Sequence, residues 1–259
     1  MNLKRASELL ASISILEGGD WYRIYERIQS HDIPEEELID KTLKELKCHY
    51  ITILDKEYPV ELKRTVRPPF VLFYYGDISL ALTNRDKLLA VIGSRECSEY
   101  GEMATRKIVS EVAKDLTIVS GLAKGIDAIA AETAINSGGR TIAIIGSGID
   151  YCYPYENLEL YRKIKKDHLL ISEYPGRTPP NQGNFPFRNR LIAFFCKNIL
   201  VTEAGDLSGT SITVNWGLSM GRDIMCVPYP LDRQSACNRM IKEGALLVEN
   251  GEDVNYYMQ

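Results

Sequence analysis

Apolar positions follow two different periods along the chain, and the change of period divides it. Through about residue 80 they recur at helical spacing: Leu9, Leu10, Ile13 and Leu16, then Trp21, Ile24, Tyr25 and Ile28, broken by Gly18-Gly19-Asp20. Pro34-Glu35-Glu36-Glu37-Leu38 predicts another helix, with Asp32 as its N-cap and Pro34 in its first turn. Residues 1–80 therefore read as a small helical domain and a connector. The connector, DKEYPVELKRTVRPPFVLFYYGD, carries Pro59, Pro68 and Pro69, which hold it extended into a short strand at 71–75.

From about residue 88 the period shortens. Apolar, β-rich runs occur at 89–92, 117–119, 142–145, 169–171, 199–202, 224–227 and 246–248, most of them separated by helical stretches. Ala104, Ile108, Val112 and Leu116 form a helical face after Ser98, a candidate cap. Residues 128–137 form another helix, stopped by Gly138-Gly139, and 212–220 a third, stopped by Gly221. Alternating strands and helices predict an α/β core at 81–259, a parallel sheet with helices on both faces. The continuous apolar runs fit strands covered on both sides.

Composition narrows the classes. The chain has 259 residues, 45% hydrophobic and 25% charged, which is ordinary for a globular protein. No apolar stretch reaches membrane length, and residues 1–10, with Lys4, Arg5 and Glu8, do not read as a signal peptide, so a cytoplasmic protein is expected. The six cysteines form no CxxC pair and the three histidines are scattered, which predicts reduced thiols, no metal site and no cofactor. Net charge is -4. Its distribution is uneven: between residues 162 and 197, Arg162, Lys163, Lys165, Lys166, Arg177, Arg188, Arg190 and Lys197 face only Asp167 and Glu173. One positive band in an acidic protein is expected.

Four predicted strands run into small-residue loops: VIGSR (91–95), IVSGLAKGID (118–127), AIIGSGID (143–150) and LVTEAGDLSGTSIT (200–213). In a parallel sheet all four open at the C-terminal edge, where such folds bind ligands. Glycines there let a ligand approach the backbone, and a following helix N-terminus favours an anion. A glycine after any one strand serves a tight turn as readily; four in succession point to a phosphate-bearing ligand. No GxGxxG is completed and no Gly-Lys pair exists, which disfavours dinucleotide binding and P-loop hydrolysis.

Within these loops, Gly93, Ser94 and Arg95 form a candidate anion clamp, the arginine fork suiting phosphate. Ser120, Gly121 and Lys124 form a second candidate loop, where Lys124 serves equally well as a solvated lysine. Ser208, Gly209 and Thr210 form a third. Asp127 and Asp150 read as turn or cap residues. Glu203 is the best-placed carboxylate for acid–base work, with anchoring of neighbouring loops the more ordinary role. The segment NFPFRNR adds Phe185, Phe187, Arg188, Asn189 and Arg190, just before a helix-like run at 191–196. Arginines for phosphates beside aromatic rings for bases is the combination that holds single strands. Arg188 is the expected phosphate contact; Arg190 helps it or braces the loop, against Glu203, and either phenylalanine is a candidate stacking ring.

VIGSR, SGLAKGID, GSGIDYCYP, ISEYPG, NFPFRNRLIA, VTEAGDLSGTSIT and NRMIKEGALLV occur here in the order seen in the DNA-processing protein A (DprA, or Smf) family, which residues 50–254 resemble. The resemblance implies an extended Rossmann-like core, a helical N-terminal domain similar to a sterile-alpha-motif fold, and dimerisation through the core. It implies single-stranded DNA binding, protection of incoming DNA and loading of RecA recombinase in natural transformation, without catalysis. It places the Gly-Ser-Arg arginine at Arg95 and the Arg-Asn-Arg signature at 188–190. Where the family carries Pro-Gly and Ser-x-Gly-x-Asn, this chain has Pro228-Tyr229 and Ser235-Ala236-Cys237-Asn238, so Cys237 stands in a glycine's place. The winged-helix domain of many members is not expected. Two other readings compete. EAGDLSGTS loosely resembles the loop of nucleotide phosphoribohydrolases, with Glu203 as acid–base residue and Arg95 as phosphate clamp. The core could also act chiefly as a scaffold for a recombinase.

Overall fold

The computed structural model describes residues 2–82, 84–205, 208–233 and 235–259; Asp206, Leu207 and Gln234, in two of the loops named above, lie outside them. Three helices come first: α1 (Leu3–Leu16), α2 (Trp21–Ser30) and α3 (Glu36–Glu45). Gly18 and Gly19, at φ 61° and 78°, end α1, and Asp20 caps α2 by accepting from the N–H groups of Tyr22 and Arg23. Asp32 is not the cap of α3. His31 closes α2 in the left-handed region, Pro34 lies ahead of the helix, and Glu35 is the residue at its start.

The connector is not a linker. It forms β1 (His49–Thr52), α4 (Val60–Lys63), β2 (Val71–Gly76) and α5 (Ser79–Leu82), and its two strands enter the main sheet. The rest of the chain is β3 (Leu88–Gly93), α6 (Glu99–Val112), β4 (Thr117–Ser120), α7 (Ile126–Asn136), β5 (Arg140–Ile145), α8 (Leu158–Asp167), β6 (Leu169–Ser172), α9 (Asn184–Phe195), β7 (Asn198–Glu203), α10 (Gly209–Ser219), β8 (Asp223–Cys226), α11 (Ala236–Lys242), β9 (Leu246–Leu247) and α12 (Gly251–Tyr257). Each strand expected in the core is present, within two residues of its predicted bounds.

The sheet order is β1-β2-β6-β5-β4-β3-β7-β8-β9. Pairings from β6 through β9 are parallel, whereas β1 and β2 run antiparallel at one edge. From β3 the chain first moves outward through β4, β5 and β6, then crosses back to place β7 on the other side of β3. Right-handed crossovers in opposite directions put α6 and α7 on one face and α9 and α10 on the other. The fold is an α/β, Rossmann-like one with a mostly parallel sheet. Its reversal of direction at β3 opens a crevice between the loops after β3 and β7.

The buried residues of β3, β4, β5 and β7 are mostly aliphatic, with Thr117, Ser120, Thr141, Asn198 and Thr202 among them, as in a sheet covered on both sides. Ser98 caps α6 by accepting from the Gly101 N–H at 3.1 Å. Helix α9 starts at Asn184, about two turns before the run read from the sequence, with Pro186 tolerated in its first turn. Its other end is capped by Arg85, which donates to the carbonyls of Phe194, Phe195 and Cys196. Among the described residues no helix is long and apolar enough to cross a membrane, and all six cysteines are free thiols. Cys237 sits in the first turn of α11, outside the left-handed region, so a side chain fits there without strain.

Candidate functional site

A cavity of about 380 Å³ lies at the C-terminal edge of the sheet, over the crevice beside β3. The loop after β3 supplies Gly93, Ser94 and Arg95; the start of α10 supplies Ser208, Gly209 and Thr210; α9 supplies Arg188 and Asn189; and Asp127 closes the floor. Four separate stretches of sequence, more than 100 residues apart at their extremes, thus meet in one place. Gly125 makes the meeting possible. Its φ of 72° is left-handed, and a side chain there would run into the carbonyls of Ser94 and Arg95.

Arg188 is 4% exposed. Its guanidinium donates to the carbonyls of Gly121 and Ile144 and to Asn189 Oδ1. Burial lowers its pKa to about 10, with Asp127 opposing that shift and Arg95 adding to it. It stays cationic at neutral pH. Asp127 accepts from the Gly121 N–H at 3.0 Å. A Cβ on Gly121 would lie 2.6 Å from both Arg188 Nη2 and Asp127 Oδ2, so the glycine makes room for this pair. Asn189 also reaches the Gly209 carbonyl at 3.4 Å, tying α9 to the first turn of α10.

Arg95 is exposed, and no carboxylate pairs with it among the described residues. Its guanidinium lies 5.6 Å from the centre of the Phe185 ring, which lies 5.4 Å from that of Tyr153. Gly146 makes room for the phenylalanine, whose ring carbon would be 2.9 Å from a Cβ there. Ser208 Oγ, at the cap of α10, and Ser211 Oγ, in its first turn, are buried with no hydrogen-bond partner among the described residues. Two cations, a helix N-terminus and the Ser208 hydroxyl around one cavity make a site for an oxyanion, with the Phe185 ring beside its Arg95.

Other residues expected at the site face elsewhere. Arg190 is fully buried and grips Glu173 with both outer nitrogens, at 2.5 and 2.6 Å. It also donates to the carbonyls of Phe187 and Arg67 and lies 3.8 Å from the Phe187 ring centre. It is a brace, against Glu173 and not Glu203. Phe187 therefore points away from the cavity that Phe185 borders. Ser120 is buried and donates to the Val91 carbonyl at 2.7 Å, tying β4 to β3. Lys124 is exposed and paired with Glu156. Glu203 does not line the cavity: its carboxylate accepts from the Ser98 N–H and hydroxyl and from the Tyr229 hydroxyl, anchoring the start of α6. Asp150 accepts from Tyr75 and Lys165.

The positive band also breaks up. Arg162, Lys165 and Lys197 are paired with Glu159, Asp150 and Asp86, and Arg190 is interior. Asp127, a turn or cap residue by its sequence, is part of the cavity lining, its signal being its place at the end of a Gly-rich loop. Tyr153 joins the series through Phe185, and its one signal is its place in the GSGIDYCYP motif.

A family model described as DNA recombination-mediator protein A matches residues 49–259. The chain belongs to this family. Within the family it is 42% identical over 205 residues to the DNA processing protein DprA of Streptococcus pneumoniae, covering 78% of this chain and 72% of that protein. Against DprA of Bacillus subtilis it is 35% identical over 214 residues, covering 82% and 71%. The match to protein Smf of Synechocystis, 39% identical, spans only 52% of that relative. The crystal structure of S. pneumoniae DprA superposes with a TM-score of 0.82 at 37% identity, over 92% of this chain and 82% of that one. DNA processing protein A of Helicobacter pylori, solved for its single-stranded DNA binding mode, gives 0.74 at 27% identity, over 82% and 96%. The recombination-mediator match starts at β1, so the connector strands fall inside the matched region and α1–α3 before it. The phosphoribohydrolase reading loses its acid–base residue, because Glu203 is an anchor.

Proposed function

We propose that this recombination-mediator protein binds single-stranded DNA at the C-terminal edge of its sheet. A backbone phosphate sits between Arg95, Arg188 and the first turn of α10, and a base stacks on Phe185. The observation that carries this reading is the convergence of Arg95 and Arg188, neither within ion-pair distance of a carboxylate among the described residues, on one cavity that the Ser208 hydroxyl also lines. A small-molecule site would suit the phosphate equally, but the Arg95–Phe185–Tyr153 series at the rim extends beyond the cavity in the manner of a polymer track. The recombination-mediator family and the single-stranded DNA binding of the H. pylori relative support the same choice.

The fuller reading extends this proposal in line with the family. The chain acts as a cytoplasmic homodimer, covers incoming single strands and loads RecA recombinase onto them during transformation, with no catalytic step of its own. The test is an anisotropy titration of unstructured oligonucleotides across a salt series, with wild type, Arg95→Ala and Arg188→Ala. Binding that weakens with salt in the wild type and is reduced in both variants is expected. Weak binding by the wild type, or normal binding by both variants, overturns the reading. Sedimentation reads the dimer, and RecA filament formation on coated strands reads the loading. Release of base or nucleotide from any substrate tested would refute the noncatalytic part.

A further inference from the structure

A second cavity, of about 460 Å³, lies on the other side of α9, between its first turn and helix α2. The first turns of α9 form the ridge between the two. Arg188 and Asn189 line the first cavity, with Phe185 against its Arg95, and Asn184 and Phe187, offset on the same helix, line the second. We propose that this second cavity is a further base-binding subsite for single-stranded nucleic acid, so that a strand leaving the first cavity crosses α9 and continues onto the helical N-terminal domain. The proposal rests on the reading of the first cavity given above.

Trp21, Tyr22, Tyr174 and Phe187 line the second cavity beside Pro179 and Pro180, and a chain of contacts links Phe187 to Tyr22. Phe187 carries the buried Arg190 guanidinium 3.8 Å from its ring centre. Arg190 donates to the Arg67 carbonyl at 3.1 Å, and the Arg67 guanidinium stands 5.0 Å from the Tyr22 ring centre. Tyr22 meets Trp21 edge-on, and Trp21 is itself stacked between Tyr25 and Phe70 and donates to the Pro68 carbonyl. Trp21 is thus a fixed post, and Tyr22, 55% exposed, is the ring available to a ligand.

Arg67 is held at φ 58°, a left-handed conformation rare for a residue with a side chain. The hydrogen bond from Arg190 fixes it, and strain of this kind gathers where a side chain must be aimed. Arg23 and Arg67 are exposed, and neither has a carboxylate partner among the described residues. The acids nearby are committed: Glu17 pairs with Arg27 at 3.0 Å, and Asp20 caps α2. Unpaired arginines beside exposed aromatic rings fit the phosphates and bases of a single strand.

The test uses the full chain and fluorescein-labelled oligothymidylates of about 6 and about 25 nucleotides, the shorter able to fill one subsite and the longer both. Tyr22→Ala and Arg67→Asn, the latter suited to left-handed backbone, are compared with Arg95→Ala after confirming unchanged thermal unfolding. The expected result is roughly a tenfold loss of affinity for the long strand in Tyr22→Ala, a smaller loss in Arg67→Asn, and no change for the short one. Arg95→Ala weakens both lengths. Wild-type affinity for the long strand in both Tyr22→Ala and Arg67→Asn overturns the second subsite while leaving the first intact, and would assign the cleft to a protein partner instead. Failure of wild type to bind either length overturns both.

Discussion

Arg188 and Arg190 stand two positions apart on α9 and serve different ends. Arg188 reaches the rim of the sheet, where carbonyls orient it toward the cavity; Arg190 turns inward to Glu173. Arg190→Ala leaves a buried carboxylate unpaired and should lower stability by about 3–5 kcal/mol in urea denaturation. Arg95→Ala removes an exposed side chain and should leave stability within about 0.5 kcal/mol while weakening DNA binding. A different residue governs pH. His168 is buried, its Nδ1 has no partner among the described residues, and burial first, then Arg140, holds its pKa below the ordinary value, with Asp167 opposing. The unfolded chain therefore takes up this proton first as pH falls. Stability is full above about pH 6.5, and declines as pH drops through that value toward the folded pKa. His168→Phe should flatten the slope of unfolding free energy between about pH 7 and 5. None of these separate fates is written in the local sequence. Both arginines flank one asparagine, and only the position of each side chain around the α9 axis sorts one to the rim and one to the interior.

At the scale of elements, the site depends on helix starts. Glu203, at the end of β7, takes the place of a ligand for the start of α6, with both oxygens toward Ser98. Glu203→Ala should cost about 1–3 kcal/mol in thermal or urea unfolding, and leave DNA affinity unchanged once the protein is folded. That pair of results would separate an anchor from a catalytic acid. The strands and the helix after Ser98 were legible because their period and cap signals are local. The start of α9 was not, because the apolar run that signals the helix begins only at Leu191, while Pro186 lies in the first turn, where a proline loses no hydrogen bond. β1 was missed for a related reason. His49–Thr52 is too short to show a period, and it becomes a strand by pairing with β2.

For the whole molecule, the electrostatic footprint is smaller than the linear charge count indicates. Of the eight basic residues between 162 and 197, four are tied up in ion pairs, Arg162 within its own helix and Lys165, Arg190 and Lys197 with acids elsewhere in the chain, which halves the number left for phosphates. With about 2 or 3 phosphates contacted, log affinity should fall with log salt at a slope of about -1.4 to -2, and Arg95→Ala should reduce that slope by about 0.7. A much steeper slope would mean that a wider surface meets DNA. The amino-acid sequence by itself determined the strand–helix alternation, the Gly-rich loops and the family, because periodicity, glycine and motif order are properties of neighbouring residues. Tertiary structure alone decided which charges survive as a site. Arg95, Arg188 and Ser208 become one cavity only when the sheet reverses direction at β3, and Lys124, Arg190 and Glu203 leave it because folding brings each a partner of opposite charge or a donor that the linear chain keeps far away.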